Sequence, residues 1–257
     1  MTSHFPQTRY LAFALFGLIC GAAMLPAAET DTAMPIAQKI RLPGIEIDAE
    51  KRIVDVDAQV SLTEGFLELI ACTEGTKEHE AIVRINAKPV HVHTALLLIG
   101  ARNGTPAMRK PINEEQTRWM HVRPSGDPIQ VSLVYKDVDG NPVERPISDF
   151  ITRSEGDPYM QDMVYGADKP EDGDAKEKFP DVFIFTGSHL ITNKDDSRQY
   201  LADSSGHVIT ISTFGDEMLG LPDFQSRENG ELVWEVDSTF LPQLDAEVKL
   251  RLRPKNR

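Results

Sequence analysis

Apolar and polar residues alternate one by one through much of this chain. An alternation of period two buries one face only if the segment is a β-strand. Ile45-Glu46-Ile47-Asp48 shows it, and Ile53-Val54-Asp55-Val56-Asp57 repeats it after the turn Ala49-Glu50-Lys51. Ile129 to Tyr135 alternates again, and Asp139-Gly140 followed by Pro142-Val143 marks a hairpin. Phe66 to Cys72 and Ala81 to Ile85 are more apolar strands. Asp181 to Phe185, Gln199 to Ala202, His207 to Ser212, Glu231 to Val236 and Ala246 to Leu252 continue the series. One stretch changes period. Thr94-Ala95-Leu96-Leu97-Leu98-Ile99-Gly100 has helix formers and a terminal glycine, which predicts a helix over about 92–101. The expected fold is a single, mainly β (α+β) domain with antiparallel, sandwich-like sheets and that one helix.

The ends of the chain read differently. Residues 1–28 hold one base, Arg9, an apolar run from Leu11 to Leu25, and the small residues Ala27 and Ala28. That order describes a secretory signal peptide, and the run is short for a membrane span. Cleavage is expected after Ala27 or Ala28, leaving a flexible segment at 29–41 and a domain over 42–254. Within it, 154–179 lacks any apolar period, and its acidic glycine-containing stretch Gly166 to Asp174 predicts a solvated loop insertion. Export places the mature chain in the periplasm or outside the cell, with no transmembrane span. Cys20 leaves with the leader, so Cys72 becomes the only thiol of the exported chain.

With 40 acidic against 27 basic residues the formal charge is −13. An acidic chain lacks the basic footprint of a nucleic-acid binder. Neither a glycine-rich phosphate loop nor a dinucleotide fingerprint is present.

Chemistry-bearing residues crowd one stretch, from Glu68 through Cys72 and His79 to His91 and His93. If the flanking strands form a hairpin, Cys72 faces His79 while Glu68 shares that face. His93, in the first helical turn, is the better placed of the two later histidines. Three readings follow. Cys72, His79 and His93 could ligate zinc or copper, with Glu68 or Glu80 as a fourth or supporting group. Cys72 could act as a nucleophile with His79 or His93 as base and Glu68 orienting the ring. Or Cys72 could be a small buried hydrophobe beside a satisfied polar network.

Glu68…Cys72, the stretch Gly75-Thr76-Lys77-Glu78-His79-Glu80 and the segment His93 to Gly100 resemble the signature of the YdjY-domain family of exported bacterial proteins. Phe185-Thr186-Gly187-Ser188, Tyr200-Leu201-Ala202-Asp203 and Gly206-His207-Val208-Ile209 are similar to later motifs of that family. The resemblance spans roughly Leu42 to Pro254. It implies an exported domain with a shared site and supplies no reaction. The expected role is a non-catalytic envelope module binding a small ligand or an envelope partner. The alternative is a metal-binding protein or an enzyme built on Cys72.

Overall fold

The computed structural model describes residues 40–154, 178–227 and 232–255. The expected leader, most of the N-terminal segment and nearly all of the 154–179 insertion lie outside them. Two early hairpins set the frame: β1 (Ile40–Leu42), β2 (Ile45–Asp48) and β3 (Ile53–Val60). They are followed by β4 (Leu69–Thr73), β5 (Ala81–Ile85) and the helix α1 (Pro89–Leu98). Then come β6 (Asn103–Thr105), β7 (Met108–Pro111), β8 (Trp119–Val122), β9 (Ser125–Gly126) and β10 (Pro128–Lys136). Beyond these lie β11 (Pro142–Pro146), β12 (Ile151–Arg153), β13 (Val182–Phe185), β14 (Leu190–Thr192) and β15 (Arg198–Tyr200). A short helix α2 (Leu201–Ser205) precedes β16 (His207–Thr210), β17 (Leu219–Gly220), β18 (Trp234–Val236) and β19 (Glu247–Pro254).

The fold is mostly β with one long helix. Its largest sheet runs β3-β19-β10-β13-β17-β16-β4-β5, and β5 returns to pair with β3. Eight strands therefore close on themselves as a barrel-like ring, which removes the sheet edges. Alternation decides what enters. In β3, Val54, Val56, Ala58 and Val60 are buried, and β19 answers with Val248, Leu250 and Leu252. The predicted hairpin after β10 forms, with Lys136 opposite Pro142.

The helix begins earlier than its apolar period suggests. Pro89 occupies its first turn, where a missing N–H costs nothing and the fixed φ suits a helix. Val92, Ala95 and Leu96 are buried at helical spacing. Arg52 Nε donates to the Ile99 carbonyl at 3.0 Å, satisfying one open carbonyl at the helix end. Gln199 to Ala202, expected as a strand, divides instead: β15 ends at Tyr200 and α2 starts at Leu201.

The expected hairpin around Thr73–Glu78 does not form. β4 and β5 are parallel, with Cys72 beside Arg84 rather than His79. The chain doubles back through 74–80 before β5 starts. Gly75 N–H donates to Glu78 Oε1 at 2.6 Å and Thr76 Oγ1 donates to the Thr73 carbonyl at 2.5 Å, tying the return to itself. Ring closure explains the difference. β5 must present Val83 and Ile85 to Val60 and Ala58 of β3, an antiparallel match that a β4–β5 hairpin would reverse.

Candidate functional site

Buried polar side chains gather at one part of the ring. Glu68, Thr186, Ser188, His207, Thr210, Ser212 and Glu217 are all buried, on β16 and on the segments next to β4, β13, β16 and β17. Elsewhere among the described residues, Ser148 is the one further case. Burying polar groups costs free energy unless each finds a partner, so this concentration is the place to follow the hydrogen bonds.

The cross-strand neighbour of Cys72 is His207, on β16. His207 Nδ1 lies 2.6 Å from Asp216 Oδ1. Burial pushes the Asp216 carboxyl up, but the His207 hydrogen bond and charge together hold it below its ordinary value. An ionised Asp216 accepts from Nδ1–H, and His207 Nε2 is then left buried without a hydrogen-bond partner. The loop that supplies Asp216 is strapped down by the Thr-Gly-Ser-His segment after β13. Thr186 Oγ1 donates to the Glu217 carbonyl at 2.6 Å, and Ser188 Oγ donates to the Asp216 carbonyl at 2.5 Å. Glu217 is itself buried, which pushes its carboxyl up, while the Gly215 N–H reaches its Oε2 at 2.6 Å.

Phe214 covers His207. Their rings stack at 4.0 Å between centroids, tilted by 26°. The same ring packs against the small cluster of Leu69, Cys72 and Ala81. Lys77 Nζ stands 5.1 Å from the Phe214 centroid, 2.9 Å from Glu80 Oε2 and 3.7 Å from Glu68 Oε2. Glu68 is 5% exposed, and burial together with the neighbouring Glu80 raises its pKa against the pull of Lys77. Glu80 moves the other way: burial raises it, but the Lys77 hydrogen bond and charge outweigh that. Glu68 is thus shifted up and Glu80 down from the same ordinary value, with the Lys77 ammonium beside both and Arg227 also pulling on Glu68.

Gly206 permits this close approach. It ends α2 with φ +78°, a left-handed conformation natural to glycine, and a Cβ there would run into the Thr76 side chain.

On its other side Phe214 lines an open cleft of about 400 Å³. Arg109, Phe224 and Arg227 line it too. Arg109 lies 5.4 Å from the Phe224 centroid and Arg227 6.0 Å from that of Phe214. Neither arginine forms an ion pair among the described residues. A larger groove of about 740 Å³ runs along β3, β10 and β19. Its Arg84 and Lys249 are already held by Asp245 and Asp57, each at 2.7 Å, so it offers less to a charged ligand.

The residues singled out from sequence part company. Cys72 is fully buried, and burial pushes its thiol up, so it stays neutral. The His79 side chain is 73% exposed on a short 3-10 turn, with Nε2 3.3 Å from Glu80 Oε1. The reason is the parallel β4–β5 pairing, which puts His79 in the return loop. His93 belongs to another contact. Its Nδ1 is 2.9 Å from the Tyr200 hydroxyl, and its ring meets Phe185 edge-on at 4.9 Å. Burial lowers the pKa of His93, partly offset by a hydrogen bond to the Gly187 carbonyl. Among the described residues no group of three or more His, Cys, Asp or Glu is placed to hold a metal ion. The zinc or copper set of Cys72, His79 and His93 is therefore not assembled.

The profile of the YdjY domain matches residues 45–253, most of the chain and every element of this site. The chain belongs to the YdjY domain family. No curated protein and no solved structure shows significant similarity to it. The buried polar cluster of this YdjY domain includes His207, inside the Gly206 to Ile209 segment, and Ser188, inside the Phe185 to Ser188 segment. Phe214, Asp216, Arg109 and Arg227 carried no sequence signal of their own.

Proposed function

We propose that this YdjY domain is an exported, non-catalytic binding module that holds a small anionic ligand with a flat apolar body. The leader-like order of residues 1–28 supports export, and among the described residues no helix is long and apolar enough to cross a membrane. One observation carries the ligand class. In a chain of net charge −13, two arginines without ion pairs line one cleft together with two phenylalanine rings. Guanidinium groups take carboxylate or phosphate in a forked geometry, and the rings take the apolar body. Phe214 lines the cleft while its ring stacks on His207, which Asp216 holds, and stands near the Lys77 ammonium.

The test is a thermal-shift comparison of phenyl phosphate, benzoate and neutral phenol on the purified mature chain. Stabilisation by the two anions and none by phenol is expected, with loss of the effect in Arg227→Ala. Equal shifts for all three, or an undiminished shift in the variant, contradict the reading.

A second reading is Cys72-dependent chemistry. It draws on the ladder pairing that puts Cys72 beside His207, itself oriented by Asp216. The burial of the thiol weighs against it, and alkylation of the native protein decides between the two.

A further inference from the structure

The β7–β8 hairpin has two faces, and the cleft draws on Arg109 from one and on Met108 at the base of the other. Arg109 and His121 are paired across the ladder, and both meet the Phe224 ring, His121 at 4.4 Å between centroids. The opposite face is built from three successive cross-strand couples. Met108 pairs with Val122 and Lys110 with Met120. Ile112 N–H donates to the Arg118 carbonyl at 2.9 Å, extending the ladder by one couple. Residues in register share a side of a hairpin, so this face carries Met108, Lys110, Ile112, Arg118, Met120 and Val122. It is apolar and cationic, with no acid on it. The two acids of the hairpin, Glu114 and Glu115, sit in the turn beyond it.

That face is open. Ile112 is 49% exposed and Met120 50%, and Lys110 and Arg118 are exposed with no ion pair among the described residues. Trp119 pairs with Pro111 and so belongs to the other face, with Arg109 and His121. The turn is not slack. Asn113 Oδ1 accepts from the N–H groups of Thr117 and Arg118 at 3.1 and 3.0 Å, which holds the two strands in register to the tip. Soluble surfaces rarely leave several large apolar side chains together without a use.

We propose that this hairpin face docks on an anionic lipid surface. The charge on the face is wholly positive in a chain whose total is strongly negative, so the face is locally complementary to an anionic surface. Ile, Met and Val side chains enter the headgroup region, while the long stems of Lys110 and Arg118 let their charges stay at the phosphates. The proposal and the cleft share Met108 alone, because neither Lys110, Ile112, Arg118 nor Met120 lines the cleft.

Vesicle flotation tests it, with phosphatidylcholine vesicles and with vesicles that also contain phosphatidylglycerol. The mature chain is expected to float with the anionic vesicles only, and less so as salt rises. The double variant K110E/R118E should bind roughly tenfold or more weakly, with unchanged melting and an unchanged response to phenyl phosphate. Both substituted side chains are exposed, so folding is not at stake. No flotation, or flotation that the double variant keeps, overturns the proposal. A dimer that the double variant dissolves, without vesicle binding, overturns it in favour of a second copy as the occupant.

Discussion

His207 Nδ1 and Asp216 Oδ1 stand 2.6 Å apart behind the Phe214 ring, one on β16 and the other on the loop that leads into β17. The contact ties two segments that backbone pairing alone joins weakly, since β16 and β17 share a short parallel ladder. Asp216→Asn is expected to cost about 1–3 kcal/mol, the range for weakening a charge-assisted hydrogen bond to a buried group. The sign of the pH effect follows from the lowered Asp216 pKa. Its contribution is complete above the ordinary aspartate value of 3.8 and fades as pH falls through the folded value. Denaturant titrations should therefore show a shallower acid loss in the variant than in the wild type.

Glu68 predicts the opposite slope. Burial and Glu80 raise its pKa, so the folded chain holds a proton that the unfolded chain releases. That contribution is complete below the ordinary glutamate value of 4.5 and declines as pH rises through the folded value. Glu68→Gln keeps an N–H donor facing Glu80 at every pH. Relative to the wild type, the variant should gain stability as pH rises from the acid side towards neutrality. Parallel stability profiles for the two proteins would show that the carboxyl pair carries no proton.

Cys72 should behave as an inert core residue. It is fully buried with Leu69, Ala81 and Phe214 about it, and burial raises its pKa. A thiol reagent such as dithiobisnitrobenzoate should label it only on unfolding. Cys72→Ser should cost about 1–3 kcal/mol for burying an added polar group, and Cys72→Ala less. Rapid labelling of the native chain would favour thiol chemistry instead.

Local pattern made the strands legible because each buries one face. β2, β3 and β10 fall where Ile45-Glu46-Ile47-Asp48, Ile53 to Asp57 and Ile129 to Tyr135 alternate. The terminal Gly100 was also informative, and its φ of +81° lies just past the helix end. What local pattern cannot carry is strand order. Nothing near Cys72 announces that β5 runs parallel to β4, or that its other neighbour is His207 on β16. The crowding of Glu68, Cys72, His79 and His93 in sequence therefore overstated their closeness. Glu68 and Cys72 stay at the site, while His79 faces solvent and His93 joins Tyr200 and Phe185. The family-like segments pointed better, since Gly206-His207 and Gly187-Ser188 both lie at the polar cluster. Asp216, Phe214 and the two arginines come from loops and a hairpin, where no periodicity reports burial.

The central claim is that Arg109 and Arg227 capture an anion between the Phe214 and Phe224 rings. Calorimetric titration of phenyl phosphate into the wild type, Arg109→Ala, Arg227→Ala and the double variant tests it most directly. Each guanidinium lost should weaken binding by about 1.5–3 kcal/mol, as for hydrogen bonds to charged groups. The double variant should bind no better than it binds phenol. Unchanged affinity in the double variant would contradict the account.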